Sequence, residues 1–472
     1  MINGLEKEKL INKLEILKMK TNLILLFTIT TVFFSHAQST DSCTETLSLM
    51  ASSVKAKDPS AYTYLTTLRK DCPTFHNGVY TWGKFAIEQQ IDKATTPEEK
   101  EKYVRDLLKL YDEHDKNFPN NGDGNQMKKA MALFENNIGS KEEIYKTLDS
   151  AFKNDKANFD SAKALYTYFE LFVNDYEASN KGITLQQVFD KYDDISEKLA
   201  EEEKELSEAK DVLIAKEEAG ETLDSREQRA KNRYEINLEA FSTVIGSMDS
   251  KIVELSTCDK LIPFYQKGFE ENKTNEVWLK RAADRLEAKE CDGDPLFSKI
   301  SEALYKLNPS ADAAYKLGVV ELQRKNTTKA LEYFNQAANM FTDNSKKAFV
   351  YHRIATMYSK SNKSQSRAYA RKALAVKPSY GKAYLLIAQL YGSSINDCGN
   401  NPFDKRAMYW LAAQYADKAG NVDTSLKGAA SRMAGSYRAA APSRTEIFES
   451  GKAGQRIAFN CWVGESITVP NL

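Results

Sequence analysis

The chain lacks most of the residues from which an active site or a nucleic-acid surface is built. Its 66 basic and 66 acidic residues cancel, so no basic excess is available to release counterions from a polyphosphate, and no nucleic-acid partner is expected. Histidine is scarce, with four among 472 residues, and His76, His114 and His352 have no second histidine at metal-ligand spacing. No HExxH, GxSxG or phosphate-cradling GxxxxGKS/T motif occurs. Gly451-Lys452-Ala453-Gly454 is glycine-rich but lacks the strand-loop-helix setting that binds phosphate. The carboxylate pairs Asp193-Asp194 and Glu201 to Glu203 stand in charged helical sequence, whose ordinary use is a solvated face rather than acid/base chemistry. The chain is therefore expected not to be an enzyme, with no catalytic residue, no cofactor and no metal site.

Long apolar runs are also missing, with one exception. Leu23 to Phe34 reads LILLFTITTVFF, preceded by Lys18 and Lys20 and followed by Ser35-His36-Ala37. That is the pattern of a secretory signal peptide cut before Gln38, and it is too short for a comfortable membrane span. Met19 stands closer to the run than Met1 and makes the better start. Residues 1–37 are thus expected to be removed, leaving about two negative charges and no transmembrane segment. Cys43 lies too far past the cut for lipid attachment, so a product released into the periplasm or held at the outer membrane is expected.

Six cysteines follow that run, and none has the close CxxC spacing of a metal site. An even number in an exported chain reads as disulfides. Six allow 15 pairings; clustering along the sequence favours Cys43 with Cys72, Cys258 with Cys291, and Cys398 with Cys461.

What the chain has in quantity is helical periodicity. In AAYKLGVVELQ, Leu317 and Gly318 fall within one helix, and in KALEYFNQAANM, Ala330, Phe334 and Ala337 recur at helical spacing. The order repeats with Ile354, Ala355 and Tyr358, then Ala370, Ala373 and Pro378. It opens a third time with Tyr384, Ile387, Ala388 and Tyr391, where the second helix is delayed. Small residues at these positions let helices approach to roughly 8–10 Å, while Phe334, Tyr358 and Tyr391 fill the space between hairpins.

At these residues the chain resembles the tetratricopeptide repeat family. It departs from the family at Glu321, where a tyrosine is usual, and at Thr342, near the usual proline. The resemblance implies an all-α, tetratricopeptide-like superhelix of stacked hairpins. It also implies a protein or peptide partner on the concave face lined by the first helices, as in an exported adaptor of a Gram-negative envelope. The register offers Tyr315, Lys316, Val319 and Gln323, then His352, Arg353, Thr356 and Lys360, then Leu385 and Gln389. Lys316 and Arg353 suit acidic groups or a chain-terminal carboxylate, although Val319 and Thr356 replace the asparagines with which some members hold that carboxylate.

The remaining segments are placed around these repeats. Residues 38–182 read as divergent helical repeats. Residues 183–256 read as a long charged helical hairpin broken at Ala219-Gly220-Glu221-Thr222, with EKLAEEEKELSEAK as a solvated, ion-paired stretch of its first arm. Residues 257–395 hold the repeats. Residues 396–472 hold further helices and a tail, RIAFNCWVGESITVP, whose alternation predicts a small β-hairpin. A Cys398–Cys461 bond would pin that tail as a cap on the last hairpin. The competing readings are a saccharide- or cell-wall-binding protein using Trp82, Trp278 and Trp410, and an enzyme whose site on the helical scaffold matches no familiar motif.

Overall fold

The computed structural model describes residues 33–119, 124–179 and 181–472. The expected signal segment lies outside the described residues up to its last few positions. The stretch NFPNNGDG from Asn117 to Gly124, a loop by composition, lies partly outside them.

The chain divides into two compact units after Ala164. The first contains α1 (Phe33–Ala56), α2 (Ser60–Asp71), α3 (Gly78–Lys93), α4 (Pro97–Asn117), α5 (Asn125–Asn136) and α6 (Lys141–Asn154), each packed on the next. Local chemistry fixes the ends. Thr96 accepts a hydrogen bond from Glu99 N, and Pro97 opens α4. Met50, Leu65, Leu68, Ile87, Val104 and Leu110 form the interior, and Cys43–Cys72 ties α1 to the residue after α2. His114 is buried, stacked on Tyr80 at 5.1 Å between Asn77 and Asn125.

A seventh helix, α7 (Ala162–Glu177), carries the chain into the second unit. There α8 (Leu185–Glu218) and α9 (Ser225–Lys251) form the expected long hairpin. Capping boxes on Thr184 and Asp224 start the two arms. Gly220, at φ +85°, makes the turn between them. The stack then runs through α10 (Cys258–Asn272), α11 (Glu276–Ala288), α12 (Pro295–Leu307), α13 (Ala311–Gln323), α14 (Thr327–Met340), α15 (Asn344–Tyr358), α16 (Lys363–Val376), α17 (Gly381–Gly392) and α18 (Pro402–Val422). It closes with α19 (Lys427–Ala440) and α20 (Arg444–Ser450).

Four hairpins stack in order: α11–α12, α13–α14, α15–α16 and α17–α18. Each second helix also packs on the first helix of the next hairpin. This is the all-α, tetratricopeptide-like architecture expected from the sequence. The small positions do what close approach requires. Ala330, Ala337, Ala355 and Ala373 are fully buried, and a Cβ on Gly318 would lie 2.5 Å from the Phe334 ring. The delayed helix of the third copy is α18, which packs on α17 after the glycine- and asparagine-rich insert.

The three disulfides are those favoured by clustering: Cys43–Cys72, Cys258–Cys291 and Cys398–Cys461. The tail forms β1 (Arg456–Phe459) and β2 (Glu465–Thr468), antiparallel with Ile457 opposite Ile467. Their inner residues Ile457, Phe459 and Ile467, with Val463 and Val469, pack against Ile387, Leu390, Tyr391 and Leu411. Glu465 accepts hydrogen bonds from Tyr391, Tyr415 and Arg371, and the Arg367 guanidinium donates to the carbonyls of Trp462 and Val463. Such charge-assisted bonds suit a strand pair too short to hold itself.

Candidate protein-binding groove

α8 lies along one side of the stack, meeting α11, the turn between α16 and α17, α17 itself and the end of α18. The contacts run in order. At the root of the hairpin, Arg285 of α11 is buried against the Phe189 ring at 4.1 Å, donates to Tyr265 Oη at 2.7 Å and to the Phe189 carbonyl, and pairs with Asp193. Arg281 reaches Asp194 at 2.7 Å and Glu197 at 3.0 Å. Further along, Lys377 donates to Ser207 Oγ, and Ser379 N donates to Asp211 Oδ1 at 2.8 Å. Near the tip, Lys210 donates to the Val422 carbonyl at 2.8 Å, and Tyr384 Oη donates to Glu218 Oε1 at 2.6 Å.

With Asp194 and Lys210 beside them, the residues of α8 that face the stack include Phe189, Asp193, Glu197, Ala200, Lys204, Ser207, Asp211 and Glu218. Their steps of three and four, with one of seven, trace a single helical stripe. A second stripe, including Ile195, Leu199 and Leu213, is buried, and Lys210 and Lys231 of the two arms pair with Glu235 and Glu217 of the opposite arm. The stretch expected to be solvated is therefore only partly so. Lys198, Leu199, Ser207 and Lys210 are buried within it, because one charged face is turned to the repeats rather than to water.

The fit along this face is loose. The backbone of α8 hardly anywhere comes within 8 Å of the first helices, and side chains span the gap around open cavities. One of about 550 Å³ lies between Tyr192, Glu197, Ala200, Lys204 and the Lys280 to Lys289 side of α11. One of about 420 Å³ lies beneath Glu203, Ser207 and Lys210, against Ser345, Lys377, Tyr380 and Lys382. A third, of about 460 Å³, sits between α11, α13 and α15 and is lined by Lys280, Asp284, Tyr315, Lys316, Lys346 and Phe349.

Charge within the third cavity is largely matched. Lys316 is buried, with its ammonium 2.6 Å from both Asp284 and Glu287. Tyr315 Oη donates to Glu287, and Lys280 adds a second cation to Asp284 at 2.8 Å. Burial works against the Asp284 carboxylate, but Lys316 and Lys280 outweigh it and hold its pKa down to about 2. Burial lifts Asp193, at the hairpin root, to about 6, against the pull of Arg285 and Arg281.

Of the ten residues offered by the repeat register, Tyr315 and Lys316 line a cavity. Arg353 is half-buried with its Nε unpartnered, and it does not join Lys316 there. The Lys316 charge is already met within the chain by two carboxylates. Val319 is fully buried, so it lies within the packing rather than on a binding face. His352 is half-buried with its ring 5.6 Å from Tyr380, and Leu385 packs beside Ala388 and Ala413. Gln323, Thr356, Lys360 and Gln389 are exposed.

The groove residues that the register missed, Lys280, Arg281, Asp284, Arg285, Lys346 and Lys382, stand mostly nearer the starts of the first helices. The available signal was the concentration of basic residues in VWLKRAADR and NSKK, set against the carboxylates of α8. The three tryptophans of the saccharide reading are each half-buried beside an aromatic neighbour: Trp82 by Phe85, Trp278 by Tyr265 and Trp410 by Phe403. No group of histidine, cysteine and acidic residues among the described residues is placed to hold a metal ion. No described helix is long and apolar enough to cross a membrane.

No family model and no curated protein matches the chain. Among solved structures it is similar to a monomeric mutant of IFIT1 with m7Gppp-AAAA, at 14% identity over 70% of this chain and 71% of that one, with a TM-score of 0.31. It is also similar to the structure of Naa15/Naa10 bound to HypK-THB, at 12% identity over 84% of this chain and 66% of that one, with a TM-score of 0.21.

Proposed function

We propose that the protein is an exported, non-enzymatic helical-repeat scaffold, working in the periplasm or at the outer membrane, which holds a protein partner through the face shared by its first helices. The observation that carries this reading is the helix already lying on that face. Three of the four hairpins present arginine, lysine, tyrosine and backbone donors to one side of α8, and it answers them with carboxylates and a hydroxyl. A surface that takes a helix in cis has the chemistry to take one in trans. Three disulfides support an oxidising compartment, and the apolar run before Ala37 supports export. Among the ten expected contact residues, the exposed Gln323, Thr356, Lys360 and Gln389 extend the same reading beyond the part that α8 covers.

Crosslinking in the native envelope followed by affinity recovery tests the reading. A reproducible protein partner, lost when Arg281 and Lys377 are both replaced by glutamate, is the expected result. Recovery of a bound small molecule with no protein would overturn it.

A further inference from the structure

The two halves of the α8–α9 hairpin are held by different kinds of contact. The proximal half is anchored. Val188, Phe189, Ile195 and Leu199 are fully buried, and Arg285 is clamped between Phe189, Tyr265 and Asp193. Beyond Ala200, α8 meets the repeats through single polar contacts at Ser207, Lys210, Asp211 and Glu218, and α9 touches them at the Thr424–Leu426 turn. They bridge a side undercut by the 420 Å³ cavity. The outer side is wet, with Val212 and Ile236 at 60% and 58% exposure. Few buried apolar contacts with an open backbone turn is the make-up of a segment that opens at low cost.

The polar match in this half is also incomplete. Lys377 is mostly buried, yet its ammonium donates only to two hydroxyls, Ser207 on α8 and Ser345 at 2.8 Å on α15. Asp211, Asp343, Glu203 and Asp423 surround it, but among the described residues no carboxylate comes within 4.0 Å. Three of these are engaged by backbone amides: Asp343 caps α15, Asp423 caps the Thr424–Leu426 turn, and Asp211 takes Ser379 N. Glu203 stands across the cavity without a hydrogen bond, and burial raises its pKa. A desolvated cation met by a hydroxyl where an anion would fit is an interaction that another ligand can improve.

We propose that the half of the hairpin beyond Ala200 is a reversible occupant of the groove, and that the partner which replaces it is an amphipathic helix carrying a carboxylate where α8 carries Ser207. This inference rests on the scaffold reading for its partner and adds that partner's chemistry. The cis helix competes at an effective concentration of order mM, so a trans helix wins only by making the ion pair that Ser207 cannot. Carboxylates at the Asp211 and Glu218 positions keep the bonds to Ser379 N and Tyr384, and the anchored root stays in place throughout.

The test uses the full chain and a fluorescein-labelled synthetic peptide of residues 196–218 carrying S207E. In the wild-type chain, hydrogen exchange is expected to be at least tenfold faster over residues 205–218 and 225–240 than over residues 188–199. The Asp211→Asn, Glu218→Gln chain is expected to widen that gap and to bind the peptide at least tenfold more tightly than wild type. Adding Lys377→Ala should remove most of that gain, and the unmodified 196–218 peptide should bind at least tenfold more weakly than S207E.

A full chain carrying Ser207→Glu provides the opposite arm, with slower exchange in the distal half and weaker peptide binding than wild type. That arm stands even if the release variant does not fold. Equal protection of the two halves in wild type, or peptide binding indifferent to Lys377, would overturn the proposal. Each result is independent of recovering a partner from the envelope. Release of the hairpin with no partner found counts against the scaffold reading, and a recovered partner with a fixed hairpin counts against this one.

Discussion

Gly318 shows how one missing side chain sets the distance between two helices. An added Cβ would meet the Phe334 ring at 2.5 Å, and Phe334 is fully buried. Alanine favours a helix over glycine by about 1 kcal/mol, but overpacking costs about 1–3 kcal/mol. Sterics win at this site. Gly318→Ala is expected to lower stability by up to about 2 kcal/mol in urea unfolding, and Phe334→Leu in the same chain should recover part of the loss. This landmark was legible in the sequence because packing leaves one residue type there. The buried Lys316 was not, since its ion-pair partners Asp284 and Glu287 lie in the preceding hairpin and no repeat pattern names them.

His352 carries a second prediction at the same scale. Burial first, then the neighbouring Lys382 and Arg353, lower its pKa to about 4 from an ordinary value of 6.5. The unfolded chain therefore binds the proton more readily. The stabilising contribution of the neutral ring is complete above pH 6.5 and lost as pH falls toward 4. Its size is no more than about 3 kcal/mol. Replacing His352 with glutamine should flatten the melting temperature across that window, and an unchanged slope would show that the acid sensitivity lies elsewhere.

Among the elements, α8 is the one whose role periodicity could not supply. Its two long arms, its break at Gly220 and its apolar stripe were readable, because an apolar stripe at helical spacing has only one use. Its charged stripe was ambiguous, since carboxylates facing water and carboxylates facing arginines have the same spacing. The ion pair at its root gives a sharp test. Arg285→Met leaves Asp193 with only Arg281, 4.0 Å away, and is expected to cost no more than the about 3–5 kcal/mol of a fully orphaned buried charge. The double change with Asp193→Leu should restore much of that loss in the same denaturation measurement. The β1–β2 hairpin was legible by its alternation, whereas the bonds from Arg367 and the tyrosines to its backbone and to Glu465 join residues far apart in the chain. Cys398→Ser with Cys461→Ser is expected to cost about 2–4 kcal/mol and to expose Trp462 to a fluorescence quencher.

For the whole molecule, the order of hairpins, the three covalent bonds and the cap could be read from the chain because each depends on neighbours in sequence. The groove could not, since it joins α8 to three hairpins that follow it. The three disulfides have a mechanical consequence. Their partners are separated by 29, 33 and 63 residues, and each separation is contour length withheld from a pulling force at about 3.5 Å per residue. The hairpin of α8 and α9 falls in the stretch between Cys72 and Cys258, outside all three loops. Under tension between its ends, the oxidised protein could pay out the groove's own occupant while the Cys258–Cys291 bond still held the start of α10 to the end of α11.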